Sequence, residues 1–174
     1  PSYKIDELVK LCIKKNIYLI EDSAQALGSF YPDGRHMGTV GTAGSISFSM
    51  PKIITTGQGG AVISNNQHLL KAIRSYKNFG RKNSGGLDIH ETIGLNMKFT
   101  DLQAILGISQ LERINETIRT KKNNFKILKE LTNNKFLHIL DNNVDFTTPW
   151  FYEVVTKYRS KLITWLEKHQ IKSR

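Results

Sequence analysis

The chain has 174 residues, of which 39% are hydrophobic, and it carries a formal net charge of +10 at pH 7. Its apolar runs are too short to cross a bilayer, and its one cysteine, Cys12, excludes an internal disulfide framework. The lysines are dispersed without interleaved aromatic residues, so we expect neither nucleic acid nor a membrane as a partner. The lone cysteine is typical of a reduced, cytoplasmic protein.

The first part of the chain alternates helical and strand patterns. Apolar residues at helical spacing predict a helix over residues 3–15, and the apolar run 17–20 predicts a strand buried on both faces. Alternating side chains predict a second strand at 45–49, and a short apolar run predicts a third at 61–63. A helix followed by a buried strand is half of a β-α-β unit, which favours an α/β architecture.

Capping signals predict two helix starts in the middle of the chain. Asn65 or Asn66 is expected to cap a helix, and Thr100 with Gln103 has the spacing of a capping box at the start of a longer one. The buried side of this longer helix is expected to comprise Leu102, Ile105, Leu106, Ser109, Leu111 and Ile114.

The last part of the chain has a different element pattern. Strands are predicted at 136–140 and 148–155, and a helix is predicted around Trp165. Two strands and a helix indicate a small α+β unit after the α/β part. We therefore expect a large cofactor-binding domain over residues 1–118 and part of a smaller domain over residues 119–174.

A single lysine, Lys52, stands between the second predicted strand and a glycine-rich turn. The turn contains Gly57, Gly59 and Gly60, which permit positive φ and a close approach of the backbone to a small molecule. A neutral lysine amine in such a place is a nucleophile towards a carbonyl carbon. An ordinary surface lysine of a basic protein is the alternative interpretation of the turn by itself.

Four polar residues near predicted element ends give Lys52 a chemical context. Asp22 and Gln25 follow the first strand, Ser47 lies in the second, and Asn96 precedes the helix with the capping box. Open α/β sheets bind ligands at the carboxyl ends of their strands, although an aspartate there also commonly caps a turn. A lysine, an acid and a hydroxyl together are what pyridoxal phosphate catalysis requires.

Three stretches carry a resemblance to a known family. Residues 20–28 (IEDSAQALG), 47–60 (SFSMPKIITTGQGG) and 94–112 (GLNMKFTDLQAILGISQLE) closely resemble the nucleotide-sugar aminotransferases of the DegT/StrS class. Their order and spacing match as well. The resemblance implies a fold-type-I pyridoxal-phosphate enzyme, with a mostly parallel sheet and flanking helices in a large domain, followed by part of a smaller α+β domain.

The resemblance also implies a role for each candidate residue. Lys52 matches the Schiff-base lysine, which also moves a proton, and Asp22 matches the acid that pairs with the pyridinium nitrogen. Gln25 matches the residue near the ring hydroxyl, and Ser47 matches a phosphate ligand. Asn96 matches an asparagine that reaches the cofactor phosphate of the neighbouring subunit, which implies a homodimer with a shared active site.

The implied reaction moves an amino group from an amino acid, commonly glutamate, to a keto-sugar of a nucleoside-diphosphate sugar, for amino-sugar, polysaccharide or cell-surface glycan synthesis. Two positions depart from the family pattern, because Gln58 stands where glutamate is usual and Lys98 stands where arginine is common. An arginine-to-lysine change replaces a two-pronged contact with a point charge.

Two alternatives are open at this stage. Relatives with histidine in place of the lysine deoxygenate the sugar, which Lys52 argues against. A non-catalytic basic scaffold that keeps the motifs is the other. The resemblance further implies a fragment lacking N- and C-terminal parts of the family's length, and we expect such a fragment to be inactive by itself.

Overall fold

The computed structural model describes residues 4–82, 89–132 and 134–173. Five helices and five strands are formed by the described residues. In chain order they are α1 (Ile5–Lys14), β1 (Ile20–Asp22), β2 (Ala43–Ser47), β3 (Gly60–Ile63), α2 (Gln67–Tyr76), α3 (Asp101–Leu111), α4 (Ile114–Leu131), β4 (His138–Ile139), β5 (Val154–Val155) and α5 (Arg159–Lys168).

The larger of the two sheets formed by the described residues has the strand order β1-β2-β3. β1 and β2 are parallel, with Asp22 opposite Ser45, whereas β2 and β3 are antiparallel, with Ser47 opposite Gly60. Since β1 and β2 run in the same direction, their carboxyl ends meet at one edge of the sheet. This edge is where the sequence places its first polar candidates.

The first strand differs from the sequence prediction in position and in burial. β1 begins at Ile20 rather than at residue 17, and Ile17 and Tyr18 are 61% and 79% exposed. The prediction of a strand buried on both faces is therefore wrong for this chain. An apolar run identifies side chains that favour burial, but it does not specify which element covers them.

Glu21 is the residue of β1 that is buried, with 8% of its surface exposed. Its Oε1 accepts hydrogen bonds from the Tyr31 hydroxyl (2.8 Å) and the Gly38 amide (2.9 Å). Its Oε2 accepts from the amides of Val40 (2.7 Å) and Gly41 (2.6 Å). Burial raises the pKa of Glu21, but these four hydrogen bonds outweigh burial, so the pKa lies below its ordinary value.

The core of the first segment packs around the Glu21 network. Ile5 from α1, Tyr31 and Met37 are buried together, and partly buried residues surround them: Val9, Leu19, Ala26 and Val40. Burial, followed by the hydrogen bond to Glu21, raises the pKa of Tyr31 to about 12. The loop between β1 and β2 is therefore held by an ionised carboxylate and a neutral phenol.

Replacing Glu21 with glutamine is expected to lower the free energy of unfolding by about 2–3 kcal/mol at pH 7, because an amide NH₂ group would face buried backbone donors. Tyr31→Phe is the matched control, since it removes one of the four donors and leaves an apolar ring; its expected cost is about 1 kcal/mol. Urea unfolding monitored by circular dichroism measures both. Equal costs for the two variants would contradict the assigned role of the carboxylate.

The same pair of variants tests the pH dependence of stability. Since the folded pKa of Glu21 is depressed, its contribution is present above the ordinary value of 4.5 and is lost as the pH falls through the folded pKa. Wild-type and Tyr31→Phe proteins should therefore lose stability below about pH 4.5 more steeply than Glu21→Gln does. Parallel curves for all three proteins would show that Glu21 does not carry this dependence.

The helices begin where the capping signals predict, which confirms both starts. The Asn66 side chain accepts from the Leu69 amide (3.1 Å), and Thr100 and Gln103 form a reciprocal capping box. The long helix predicted after Thr100 is interrupted, since α3 ends at Leu111 and α4 begins at Ile114. α4 then continues through residue 118, and the division into domains at that point stays a prediction.

The side of α3 that faces the protein is the opposite of the predicted one. Leu102 and Ile105 are 77% and 64% exposed, and Leu106 and Leu111 are also exposed. Gln103, Gly107 and Gln110 are instead half-buried against the glycine-rich turn. The prediction was wrong because a polar and small-residue face can be buried when amide side chains pair with backbone groups.

The second sheet is smaller than the sequence predicts. β4 and β5 form a two-residue antiparallel pair, with His138 opposite Val155, in place of strands at 136–140 and 148–155. The residues before β5 instead cross to the first part of the chain, where the amide of Thr148 donates to the Ser29 hydroxyl (2.9 Å). Among the described residues, no helix combines the length and apolar character that a membrane span requires.

Candidate active site

Three polar side chains share one face of the sheet at its carboxyl edge. The Ser45 hydroxyl donates to Asp22 Oδ1 (3.2 Å), and the Ala24 amide donates to the same oxygen (3.2 Å). Ser47 lies two residues beyond Ser45 on β2, and residues at this spacing point to the same face of a strand. The edge thus presents an exposed carboxylate and two half-buried hydroxyls on one face.

Lys52 lies in the loop that leaves β2 and returns to β3. The loop is closed by backbone bonds from the Phe48 amide to the Gly59 carbonyl (2.9 Å) and from the Thr56 amide to the Phe48 carbonyl (2.9 Å). The Lys52 amide donates to the Ser49 carbonyl (3.1 Å), which makes a tight turn at the lysine. The half-buried Lys52 side chain therefore starts from a fixed backbone position at the end of β2.

The glycine-rich turn after Lys52 is held by α3. Gln110 exchanges two hydrogen bonds with the backbone of Thr55 (2.9 Å each), and the Gln103 amide donates to the Gln58 carbonyl (2.7 Å). A side chain at Gly59 (φ +141°) would start 2.7 Å from the Phe99 ring, so only glycine fits there. α3 thus fixes the shape of the turn through polar contacts.

Gln58, one of the two departures from the family pattern, contributes its backbone carbonyl to this arrangement. That carbonyl accepts from the Thr56 hydroxyl (2.8 Å) as well as from Gln103. Neither bond uses the Gln58 side chain. A glutamine in place of glutamate at position 58 therefore leaves the hydrogen bonds between α3 and the turn unchanged.

The other two candidates, Gln25 and Asn96, form no hydrogen bond with the described groups at this edge. Gln25 is exposed in the segment that follows β1, and Asn96 is exposed and forms an isolated antiparallel bridge with Asn78. The hydrogen bonds of the described residues bring Asp22 together with Ser45 but join neither Gln25 nor Asn96 to it. Lys98 lies near Asn96, with its amine 5.0 Å from the centre of the Phe79 ring.

The polar groups at the edge suit a phosphate-bearing pyridine. Asp22 offers a carboxylate for a protonated ring nitrogen, and Lys52 offers a primary amine for an aldehyde. The Ser47 hydroxyl donates to Ser49 Oγ (3.1 Å) and accepts from the Ser49 amide (3.3 Å), so two hydroxyls and an amide are clustered for an anion. A side chain added at Gly57 would meet no atom within 4 Å, so the turn borders open space.

Sequence reasoning missed two residues of this region. Ser45 lies in the strand predicted at 45–49, and the sequence does not show that its hydroxyl pairs with Asp22. Trp150 lies in the strand predicted at 148–155, but in the structure its ring lies over Lys52. Ser45 stands directly opposite Asp22 in the parallel pair of β1 and β2, so its contact with Asp22 can be inferred once the register of the two strands is known. For Trp150, the PWFY sequence marks an aromatic cluster but no local signal connects it with residue 52.

Comparison with known proteins identifies the family. The profile of the DegT/DnrJ/EryC1/StrS aminotransferase family matches residues 1–174. This chain belongs to that family. Its members are pyridoxal-phosphate-dependent aminotransferases, as the resemblance of the three sequence stretches predicts.

Individual members of the DegT/DnrJ/EryC1/StrS family resemble the chain over part of their own length. The GDP-perosamine synthase of Vibrio cholerae is 32% identical over 98% of this chain and 47% of its own sequence. The lipopolysaccharide biosynthesis protein RfbH of Salmonella typhimurium is 31% identical over 99% of this chain and 47% of its own sequence. The chain thus spans about half the length of these relatives.

The fold agrees with the family assignment. The aminotransferase PseC of Helicobacter pylori, which is involved in pseudaminic acid biosynthesis, superposes with a TM-score of 0.81 at 24% identity, covering 95% of this chain and 47% of PseC. At this identity the superposition shows the fold alone. The chain has a mixed α/β fold that corresponds to part of the fold-type-I pyridoxal-phosphate enzymes, as predicted.

Proposed function

We propose that this chain carries the lysine-bearing part of a pyridoxal-phosphate-dependent aminotransferase that transfers an amino group from an amino acid, with glutamate the first candidate, to a keto-sugar linked to a nucleoside diphosphate. The observation that carries the proposal is the edge formed by Asp22 and Ser47, with Lys52 on the closed loop that leaves it. These are the acid, the hydroxyl and the amine that the chemistry requires.

Each residue has a defined task in this proposal. Pyridoxal phosphate supplies an aldehyde that binds amines and a ring that withdraws electrons. Lys52 would supply the primary amine that binds the aldehyde with loss of water, and its free amine would be the group that moves a proton to and from the substrate carbon. Asp22 would hold a proton at the ring nitrogen through the opposite charge of its carboxylate, and Ser47 would bind the phosphate. Gln25 is assigned to the ring hydroxyl.

The keto-sugar assignment is supported by the relatives. The Vibrio cholerae relative is a GDP-perosamine synthase, and the Salmonella relative is a lipopolysaccharide biosynthesis protein. Both names refer to the synthesis of sugar-containing molecules, and the name of the Vibrio cholerae relative also includes a nucleoside diphosphate. We therefore assign the whole protein to amino-sugar synthesis for a polysaccharide or cell-surface glycan.

A direct test uses the whole protein with pyridoxal phosphate. Visible absorbance of a lysine-bound cofactor is expected, followed by amino transfer from glutamate to at least one of a panel of GDP-, TDP- and UDP-linked keto-sugars, with the amine product detected by mass spectrometry. Absence of both signals would overturn the proposal and favour a scaffold. Loss of a sugar hydroxyl without amination would overturn it in favour of a deoxygenase.

We also propose that the active site is shared between two subunits of a homodimer. Asn96 is exposed and has no hydrogen bond to Asp22, and α3, which follows it, presents the apolar residues Leu102 and Ile105 to solvent. Burial of such residues against another surface is favourable by about 25 cal/mol per Å². A second subunit docked beside this region would receive Asn96 at its own cofactor phosphate.

Subunit complementation tests this arrangement. Lys52→Arg and Asn96→Ala homodimers are each expected to lose most of the transfer activity, because each lacks one residue at both sites. Mixed and refolded together, they should recover about a quarter of the wild-type activity, because half of the statistical dimers contain one intact site. Recovery at the level of the unmixed variants would contradict a shared site, and mixing each variant with itself provides the control.

A further inference from the structure

The amine of Lys52 is covered by an indole ring from the other end of the chain. Lys52 Nζ lies 3.4 Å from the centre of the Trp150 ring. The other cation–aromatic pairs formed by described residues are longer, at 5.0–5.1 Å. An ammonium over the face of tryptophan is the strongest pairing of this kind, because the ring face is electron-rich.

Trp150 is also bound to the backbone next to the lysine. Its Nε1–H donates to the carbonyl of Pro51 at 2.7 Å, so the ring is held from its edge while its face meets Lys52. The indole is half-buried, and the adjoining Phe151 ring lies 3.9 Å away between centroids. Two contacts with consecutive residues, one polar and one cationic, define the ring's position relative to the lysine.

The segment that carries Trp150 is anchored on both sides. Before it, the Thr148 hydroxyl donates to the Gly28 carbonyl (2.7 Å), and Pro149 is fully buried. After it, the Tyr152 hydroxyl donates to the Lys121 carbonyl (3.2 Å). These anchors place Trp150 over the loop independently of its contact with Lys52. The position of the segment therefore does not depend on the lysine side chain.

We propose that Trp150 is a positioning residue for Lys52, holding the lysine side chain under its indole ring in the cofactor-free protein. Because an ammonium held on the ring is not a nucleophile, this contact and covalent binding of the cofactor are alternative states of the same amine. The importance of the contact for catalysis rests on the proposed aminotransferase function. The contact itself is testable without cofactor.

Lysine labelling in the cofactor-free whole protein tests the contact. Acetic anhydride modifies neutral, accessible amines, and peptide mapping by mass spectrometry reports each site. Trp150→Leu is expected to raise the labelling rate of Lys52 by about two- to five-fold, the range expected for loss of an exposed cation–π contact. Trp150→Phe, which keeps an aromatic face, should stay near the wild-type rate. Trp165→Leu is the matched control and should leave the rate unchanged.

Lys98 provides an internal reference, since it lies over Phe79 and should be labelled equally in all variants. An unchanged rate at Lys52 in Trp150→Leu would overturn the proposal. Equal increases in Trp150→Phe and Trp150→Leu would also overturn it, because they would show that the segment's packing protects the lysine rather than the ring face.

A second measurement does not depend on the folding of Trp150→Leu. Trp165→Phe removes the other tryptophan of this chain, and emission spectra are then compared between proteins that differ from this background in a single lysine. In that background Lys52→Met should change the emission of Trp150, whereas Lys98→Met should not. Identical emission in both would overturn the proposal. Since neither experiment uses cofactor or substrate, absence of amino transfer in the wild type would refute the proposed function without affecting these outcomes.

Discussion

Lys52→Arg is expected to abolish the visible absorbance of lysine-bound cofactor and to reduce amino transfer by at least about 10³-fold, since general acid–base catalysis alone contributes 10²–10⁴-fold. Arginine keeps the positive charge and much of the length, but its guanidinium stays protonated and does not bind an aldehyde. The variant therefore separates charge from nucleophilicity. Absorbance spectra and steady-state transfer rates of the whole protein measure the two effects.

Lys10→Arg on the exposed surface of α1 is the matched control, and both of its readouts should equal those of the wild type. Retention of the absorbance in Lys52→Arg would show that another lysine binds the cofactor and would contradict the assignment. The circular dichroism spectrum should be unchanged, because Lys52 makes its turn through its backbone amide rather than its side chain.

Asp22→Asn is expected to keep the lysine-bound absorbance but to slow amino transfer by about 10²–10³-fold, within the range for loss of a positioned proton-transfer or proton-holding group. The asparagine oxygen can still accept from Ser45 and from the Ala24 amide, so the local turn should persist. What is lost is the negative charge that keeps the ring nitrogen protonated. Single-turnover kinetics separate this loss from weaker cofactor binding.

Asp22→Glu should recover part of the rate, since it restores the charge with an altered reach. Asp101→Asn, in the first turn of α3, is the control for loss of a carboxylate without loss of a ring partner and should leave the rate unchanged. A wild-type rate in Asp22→Asn would remove Asp22 from the proposed site. Equal transfer rates in Asp22→Asn and Asp22→Glu would show that the charge does not matter and would argue for a purely structural role.

Asp22 lies at the carboxyl edge of the sheet and Lys52 lies on the loop that leaves it, but the contacts of Lys52 extend beyond this region. Trp150 comes from the region predicted as a second domain, and its segment is anchored on the turn after β1 through Thr148. A change in how this segment packs would therefore alter the contact between Trp150 and the Lys52 amine. The position of Trp150 gives residues 119–174 a contact with the proposed chemistry, whichever boundary divides the chain.

The exposed apolar side of α3 is the second feature with consequences beyond this chain. Its polar side is fully engaged with the glycine-rich turn through Gln103 and Gln110. Rotation of α3 to bury Leu102 and Ile105 would break these contacts and alter the turn beside Lys52. The apolar side is therefore available to another surface without disturbance of the site.

Local interactions were determined by the sequence itself. The helix starts at Asn66 and Thr100, the presence of three strands before Asn66 and the position of Asp22 after the first apolar run followed from spacing within a few residues. Ser47 was expected inside a strand at 45–49, and only the structure makes it the last residue of β2. Capping and strand alternation involve neighbours in the chain, so the residues that form them are adjacent in the sequence. The family resemblance assigned roles to these residues.

Only the tertiary structure decided what covers each surface. The burial of Glu21, the polar rather than apolar face of α3 against the turn, and the indole over Lys52 all depend on partners distant in the chain; Trp150 and Pro51 are 99 residues apart. The periodicity of α3 identifies an apolar side but contains no information about which surface meets it. Burial is a property of pairs of surfaces, and the sequence of one element describes a single member of each pair.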